Sequence, residues 1–146
     1  MSNNSKGKHK TLLGIDFGTK RIGLAIGQSI TGSARSLDII PAKNGVPQWH
    51  QLTKVIKEWA VDAIVVGLPL NMSGEWQNTS QLAMDFIEEL KKHTDLPIYT
   101  VDERMTTIEA KAQISQQGRH KLDKARVDSY AAKLILEDWL TENKNS

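Results

Sequence analysis

Asp16, Glu103 and Asp128 are the side chains of this 146-residue chain whose type and placement suit hydrolytic chemistry. Each falls at the end of an element that apolar patterning predicts: Asp16 after the run 12–15, Glu103 just past the run 97–101, and Asp128 on the last helix. An acid directly after Leu-Leu-Gly-Ile is costly inside a sheet unless a cation or a hydrogen-bond donor meets it, so it belongs at an open strand end. With no cysteine and no His-x-x-x-His pair in the chain, carboxylate oxygens select a hard cation, magnesium or manganese, over zinc. Two such ions held ~4 Å apart can activate a water, stabilise the leaving oxygen and clamp a scissile phosphate, which is phosphodiester hydrolysis. Each acid also has a structural explanation. Asp16 can accept hydrogen bonds from the turn that follows it, and Asp102 competes with Glu103 because strand alternation sends neighbours to opposite faces.

Cations accompany the acids. Gly18 and Thr19 separate Asp16 from Lys20 and Arg21, a small residue and two cations where a phosphate could approach the backbone. Arg104 adjoins Glu103, and Arg119, His120, Lys121, Lys124 and Arg126 crowd the connection into the last helix. A charge run is usually a solvated face, but one beside a candidate acidic site favours a phosphodiester backbone.

The elements that must position these groups follow from periodicity. Apolar runs 12–15 and 22–26 flank a tight polar turn and read as an antiparallel hairpin, with a third strand over 34–42 ending at Pro41. The stretch 44–47 breaks the pattern. Trp49, Leu52, Val55, Ile56 and Trp59 then recur at helical spacing from Pro47 or Gln48, both tryptophans reading as core. Residues 63–67 (AIVVG) form a β-branched run without alternation, a central strand covered on both faces, and the loop 68–74 lies at its end, where open α/β sheets place sites. A second helix carries Leu82, Ala83, Phe86, Ile87 and Leu90, and a strand over 97–101 runs into Asp102-Glu103-Arg104. Thr106 and Glu109 form a capping box that opens the next helix, which Gly118 ends. The final helix spans about 124–140, with Val127, Ala131, Leu134, Ile135 and Asp138 along one side. Asp128 lies in line with Ala131, Ala132 and Ile135 and, with Asp123 as N-cap, beyond the first turn where a helix dipole would account for an acid.

Composition narrows the class. The length fits one domain over 11–142 behind a polar, basic tail at 1–10 that reads as disordered. Hydrophobic residues make up 39% and charged residues 25%, and no apolar run reaches membrane-spanning length or follows the basic start as a signal core, so the reading is a cytoplasmic protein with no membrane partner. A net charge of +2 is too small for a generally basic surface, so nucleic-acid contact must be local.

The stretches GIDFGTKRIGLAIG, IVVGLPLNMSG, VDERMTT and KARVDSYAAKLILEDWL, in this order, resemble the YqgF family of ribonuclease H-like, Holliday-junction-resolvase-like proteins over residues 12–140. The resemblance implies an α/β ribonuclease H-like fold, a mixed five-stranded sheet with antiparallel strands 1–3 followed by parallel strands, flanked by helices. It also implies a cytoplasmic nuclease processing the 5′ end of the precursor of 16S ribosomal RNA, with junction resolution as the older proposal. The family's acids fall on Asp16, Glu103 and Asp128, as catalytic and metal-binding residues. More distant resolvases place their second carboxylate at the end of the fourth strand, where this chain has Gly67-Leu68-Pro69, so Glu103 must compensate. The expected partners are structured RNA, DNA junctions and a ribosomal subunit precursor, met by a monomer or weak dimer.

Two other classes compete. The motif D-F-G-T-K-R also resembles the first phosphate loop of actin-like and sugar-kinase ATPases, but those clamp ATP between two such domains and this length supplies one. Labelled-nucleotide retention discriminates that reading. A non-catalytic nucleic-acid-binding module would keep the fold without the chemistry, and metal-dependent cleavage discriminates it.

Overall fold

The computed structural model describes residues 9–68, 78–102 and 124–143, with backbone only at 78–80, 102 and 124–129. Its elements are β1 (Thr11–Asp16), β2 (Arg21–Gln28), β3 (Ser33–Lys43), β4 (Val46–Pro47), α1 (Trp49–Glu58), β5 (Ala63–Leu68), α2 (Asn78–His93), β6 (Ile98–Asp102) and α3 (Lys124–Asn143). The strands form one sheet in the order β4-β3-β2-β1-β5-β6. β1, β2 and β3 pair antiparallel, and β5 joins β1 and β6 in parallel. The five expected strands are therefore present with the expected directions, and β5 is an interior strand, though not the central one: it lies between β1 and the edge strand β6.

Alternation divides each strand between two cores. Leu13, Ile15, Leu24, Ile26, Ile64 and Val66 pack with α1 and α2 through Leu52, Ala83, Phe86, Ile87 and Leu90. Leu12, Ala25, Ala63 and Val65 pack on the opposite face against Ala132, Ile135, Leu136, Trp139 and Leu140 of α3. Burying Leu52 completely contributes about 2 kcal/mol and anchors α1 to its face. At the far end of β1, Asp62 joins the starts of β1 and β5, accepting the backbone N–H groups of Lys10 and Thr11 at 2.8 and 2.9 Å.

Glycine lets α3 approach the sheet. A Cβ on Gly14 would lie 2.9 Å from the Ala132 carbonyl oxygen and 2.9 Å from Leu136 Cβ, and one on Gly27 would meet Leu136 and Leu140. Because Gly27 pairs with Leu12, the contacts step from Leu140 and Leu136 to Ala132 as β1 advances from Leu12 to Gly14. α3 therefore runs antiparallel to β1.

Two further sequence expectations are corrected. The stretch 44–47 is a tight hairpin in which Lys43 pairs with Val46 across Asn44 (φ 52) and Gly45 (φ 81), so β4 is a sixth strand and β3 continues past Pro41. Asn-Gly supplies the positive φ angles that a two-residue hairpin requires. Ala42 donates its N–H to the Lys20 carbonyl at 2.8 Å on the β2 side, so the N–H that Pro41 lacks belongs to the outer edge, where proline is tolerated. Trp49 and Trp59 do pack against the α1/α2 core, half-buried at its rim: Trp49 stacks on Phe86 and His93, and Trp59 lies under the Arg35 guanidinium. On α3 the buried stripe is Ala131, Ala132, Ile135, Leu136, Trp139 and Leu140, whereas Leu134 is half-buried and Asp138 is exposed. The helix meets the sheet one step round from the predicted stripe.

Candidate active site

Asp16 ends β1, and among the described residues it is the one charged side chain in the core, 7% exposed. Parity places it with Leu12 and Gly14 on the α3 face, while Ile15 points into the α1/α2 core. Its two register partners are Gly23 on β2 and Gly67 on β5. Partners in register share a face, so the carboxylate is flanked on both strands by residues without side chains. A buried carboxylate must be met by a cation or by donors to remain ionised. A carboxylate at such a strand end is a donor that suits a hard cation.

α3 brings position 128 to the same level. From Leu12 to Asp16 the strand advances about 13 Å, and from Leu140 back to position 128 the helix covers about 18 Å. Ala132 already stands over Gly14, so one further helical turn, about 6 Å, matches the two-residue step from Gly14 to Asp16. Position 128 thus reaches the end of β1 on the face where Asp16 lies.

The turn after β1 is bound into the sheet. A Cβ on Gly18 would collide with the Arg21 carbonyl oxygen, so the turn itself requires the small residue. Lys20 is exposed, whereas Arg21 is half-buried and shares the α3 face with Asp16 by the parity of β2. Gly45 donates to the Thr19 carbonyl at 2.9 Å, joining the β3–β4 hairpin to the same turn.

The remaining sequence-predicted residues are placed as follows. Lys124 and Arg126 belong to the first two turns of α3, described by backbone alone. Glu103, Arg104, Arg119 and Lys121 lie outside the described residues, as do the capping box at Thr106, the helix end at Gly118 and the loop 69–74. Among the described residues no three His, Asp or Glu side chains gather as a metal group, two of the three acids not having described side chains. The site residues that sequence reasoning passed over are Gly23 and Gly67. Gly67 was noticeable only as the absence of a carboxylate; a glycine at the end of each strand beside an acid is the signal that marks both.

A model of the RuvX family, described as Holliday junction resolvase, matches residues 10–142. The chain belongs to this family. It is 48% identical over 137 residues to a protein of Pseudomonas paraeruginosa named "Putative pre-16S rRNA nuclease", covering 93% of this chain and 95% of that one. A relative from Actinobacillus pleuropneumoniae with the same name is 50% identical over 131 residues, covering 89% and 96%. Among solved structures, RuvC of T. thermophilus in complex with a Holliday junction substrate superposes with a TM-score of 0.56 at 16% identity, covering 93% of this chain and 98% of that one. That likeness bears out the ribonuclease H-like fold, and family membership bears out the resemblance carried by the four motifs. Among the described residues of this RuvX-family chain, no helix is long and apolar enough to cross a membrane.

Proposed function

We propose that the chain is a metal-dependent nuclease that hydrolyses phosphodiester bonds in structured RNA and processes the 5′ end of the precursor of 16S ribosomal RNA in the cytoplasm. The observation that carries this reading is the buried Asp16 carboxylate, flanked by Gly23 and Gly67, with α3 bringing position 128 to its level. The names of the relatives support the RNA substrate.

Asp16, Glu103 and Asp128 are the residues that would hold magnesium or manganese, as a pair of ions. Bound there, the metal supplies activation of a water and neutralisation of charge at the phosphate. The parity of β6 favours Glu103 over Asp102 as the second acid: Tyr99 and Val101 pack against the α3 core, Ile98 against the other, and odd-numbered positions take the Asp16 face. Lys20 and Arg21 hold the phosphodiester backbone at the strand end. Arg104, Arg119, Lys121, Lys124 and Arg126 extend that contact along the substrate.

The second reading, resolution of DNA four-way junctions, is favoured by the family description. Symmetric resolution requires two active sites related by a two-fold axis, hence a dimer, whereas RNA processing is compatible with a monomer or weak dimer.

The experiment compares end-labelled precursor RNA carrying the 5′ extension of 16S ribosomal RNA with a synthetic four-way DNA junction, each with magnesium, manganese or chelator. Metal-dependent trimming of the RNA supports the processing nuclease. Paired symmetric cuts in the junction with uncut RNA would replace it with the resolvase, and binding without cutting of either would leave a non-catalytic module.

A further inference from the structure

We propose that Lys43 is a phosphate-contacting residue that guides the substrate strand from the Asp16 site across β2 and along the β3–β4 hairpin. The assignment rests on the nuclease reading above and adds a residue outside the motifs that carry it.

Between Gly23↔Ile39 and Ala25↔Ser36 the pairing of β2 with β3 shifts by one residue, so an extra residue of β3 is accommodated opposite Leu24. Such a bulge reverses which face each later residue takes. Beyond it, Ile40 and Ala42 pack in the α1/α2 core, and Pro41 and Lys43 are exposed on the other side of the strand. Lys43 therefore shares the α3 face with Asp16 and Arg21. Had β3 lacked the extra residue, the lysine would face away from the acid.

The hairpin also fixes Lys43 at the correct end of the sheet. Arg21 pairs with Pro41, Ala42 donates to Lys20 and Gly45 donates to Thr19, so Lys43 stands beside the turn that follows Asp16. Phe17 closes the far side of this arrangement: a Cβ on Gly45 would lie 2.6 Å from Phe17 Cζ, which holds the tip of the hairpin against the residue after Asp16. Asp16 on β1, Arg21 on β2 and Lys43 on β3 then form a diagonal across neighbouring strands, which lie about 4.8 Å apart. Among the described residues neither Lys20 nor Lys43 makes an ion pair, which leaves both ammonium groups available to an anion. An open groove of about 520 Å³ runs along the hairpin beside Pro41, Val46 and Pro47, and Lys43 is its one charged lining residue. A cation on the face of the acidic site, beside a groove walled by Pro41, Val46 and Pro47 and lined also by Asn44 and Gln48, matches a nucleic-acid strand: phosphate to the ammonium group, sugar and base to the wall.

The test measures binding of a structured RNA over a range of salt for the wild type, Lys43→Ala, Lys43→Arg and a control, Lys54→Ala, whose side chain is exposed on α1 behind the sheet. Lys43→Ala is expected to weaken binding about fivefold or more near 0.1 M salt and to lower the slope of log K against log[salt] by about one. The loss should appear in KM, with Lys43→Arg restoring most of it and Lys54→Ala behaving as wild type. Binding and salt slope unchanged in Lys43→Ala, in a wild-type protein that cuts RNA, would overturn the assignment and leave the nuclease intact. An equal loss in Lys54→Ala would also overturn it, since the effect would then be one of net charge. A wild-type protein that neither binds nor cuts nucleic acid would overturn the nuclease reading and the role of Lys43 with it.

Discussion

Gly14 of β1 and Ala132 of α3 meet backbone to backbone, so closely that a Cβ on Gly14 would stand 2.9 Å from the Ala132 carbonyl oxygen. This contact sets the height at which α3, and with it position 128, crosses the end of β1. Gly14→Ala should destabilise the protein by about 1–3 kcal/mol, the range for an overpacked core in which a backbone atom must move. Gly27→Ala should cost less, because its clashes are with the methyl ends of Leu136 and Leu140. Urea unfolding of both variants checks the order, and an equal or reversed order would contradict close packing of α3 at Gly14.

Asp62 receives two backbone N–H groups, from Lys10 and Thr11. Asp62→Ala should leave both without that acceptor and cost about 1–3 kcal/mol, with Asp62→Asn retaining part of the loss because its amide oxygen still accepts. Cleavage at saturating substrate should persist in both, since this clamp lies at the end of β1 away from Asp16. A midpoint shift in urea below ~0.3 kcal/mol equivalent for the alanine variant would mean that solvent replaces the carboxylate freely.

Glu103 and Asp102 are adjacent in sequence, and the proposed metal-binding role falls to Glu103. Glu103→Gln should lower kcat at least a hundredfold with an unchanged melting temperature, whereas Asp102→Asn should retain most of the activity. The reverse pattern in steady-state kinetics would exchange their roles.

The basic residues leading into and opening α3 should behave as a set of phosphate-binding groups. Neutralising Arg119, Lys121, Lys124 and Arg126 together is expected to weaken RNA binding and flatten its salt dependence by roughly one unit of slope for each cation that meets a phosphate. An unchanged slope in a filter-binding or fluorescence titration would make these residues a solvated surface.

Much of the scaffold is legible in the chain because its signals are local. The runs 12–15 and 22–26 around a polar turn announce β1 and β2, and the unbroken AIVVG announces a strand covered on both faces. Features that depend on how elements meet are less visible. The predicted stripe on α3 included Asp138 because spacing alone leaves the helix free to rotate, and the packing at Gly14 and Gly27 decides the rotation. The bulge in β3 cannot be read from Leu37-Asp38, since it exists only relative to β2. The β3–β4 hairpin is legible in Asn44-Gly45, a pair that marks a two-residue turn as readily as a break between elements. For the site, Asp16 at a strand end follows from its apolar approach. Its glycine neighbours emerge only once the register places Gly23 and Gly67 beside it.

The central claim is that Asp16 serves metal-dependent phosphodiester hydrolysis and not the stability of the turn. The direct measurement is cleavage of end-labelled precursor RNA by wild type and Asp16→Asn, with magnesium or manganese and with chelator, alongside the thermal melting of both proteins. The account predicts cutting by wild type that chelator abolishes and added metal restores, and loss of cutting by at least a hundredfold in Asp16→Asn with the fold retained. Cutting by Asp16→Asn at the wild-type rate, or wild-type cutting that persists in chelator, would contradict it.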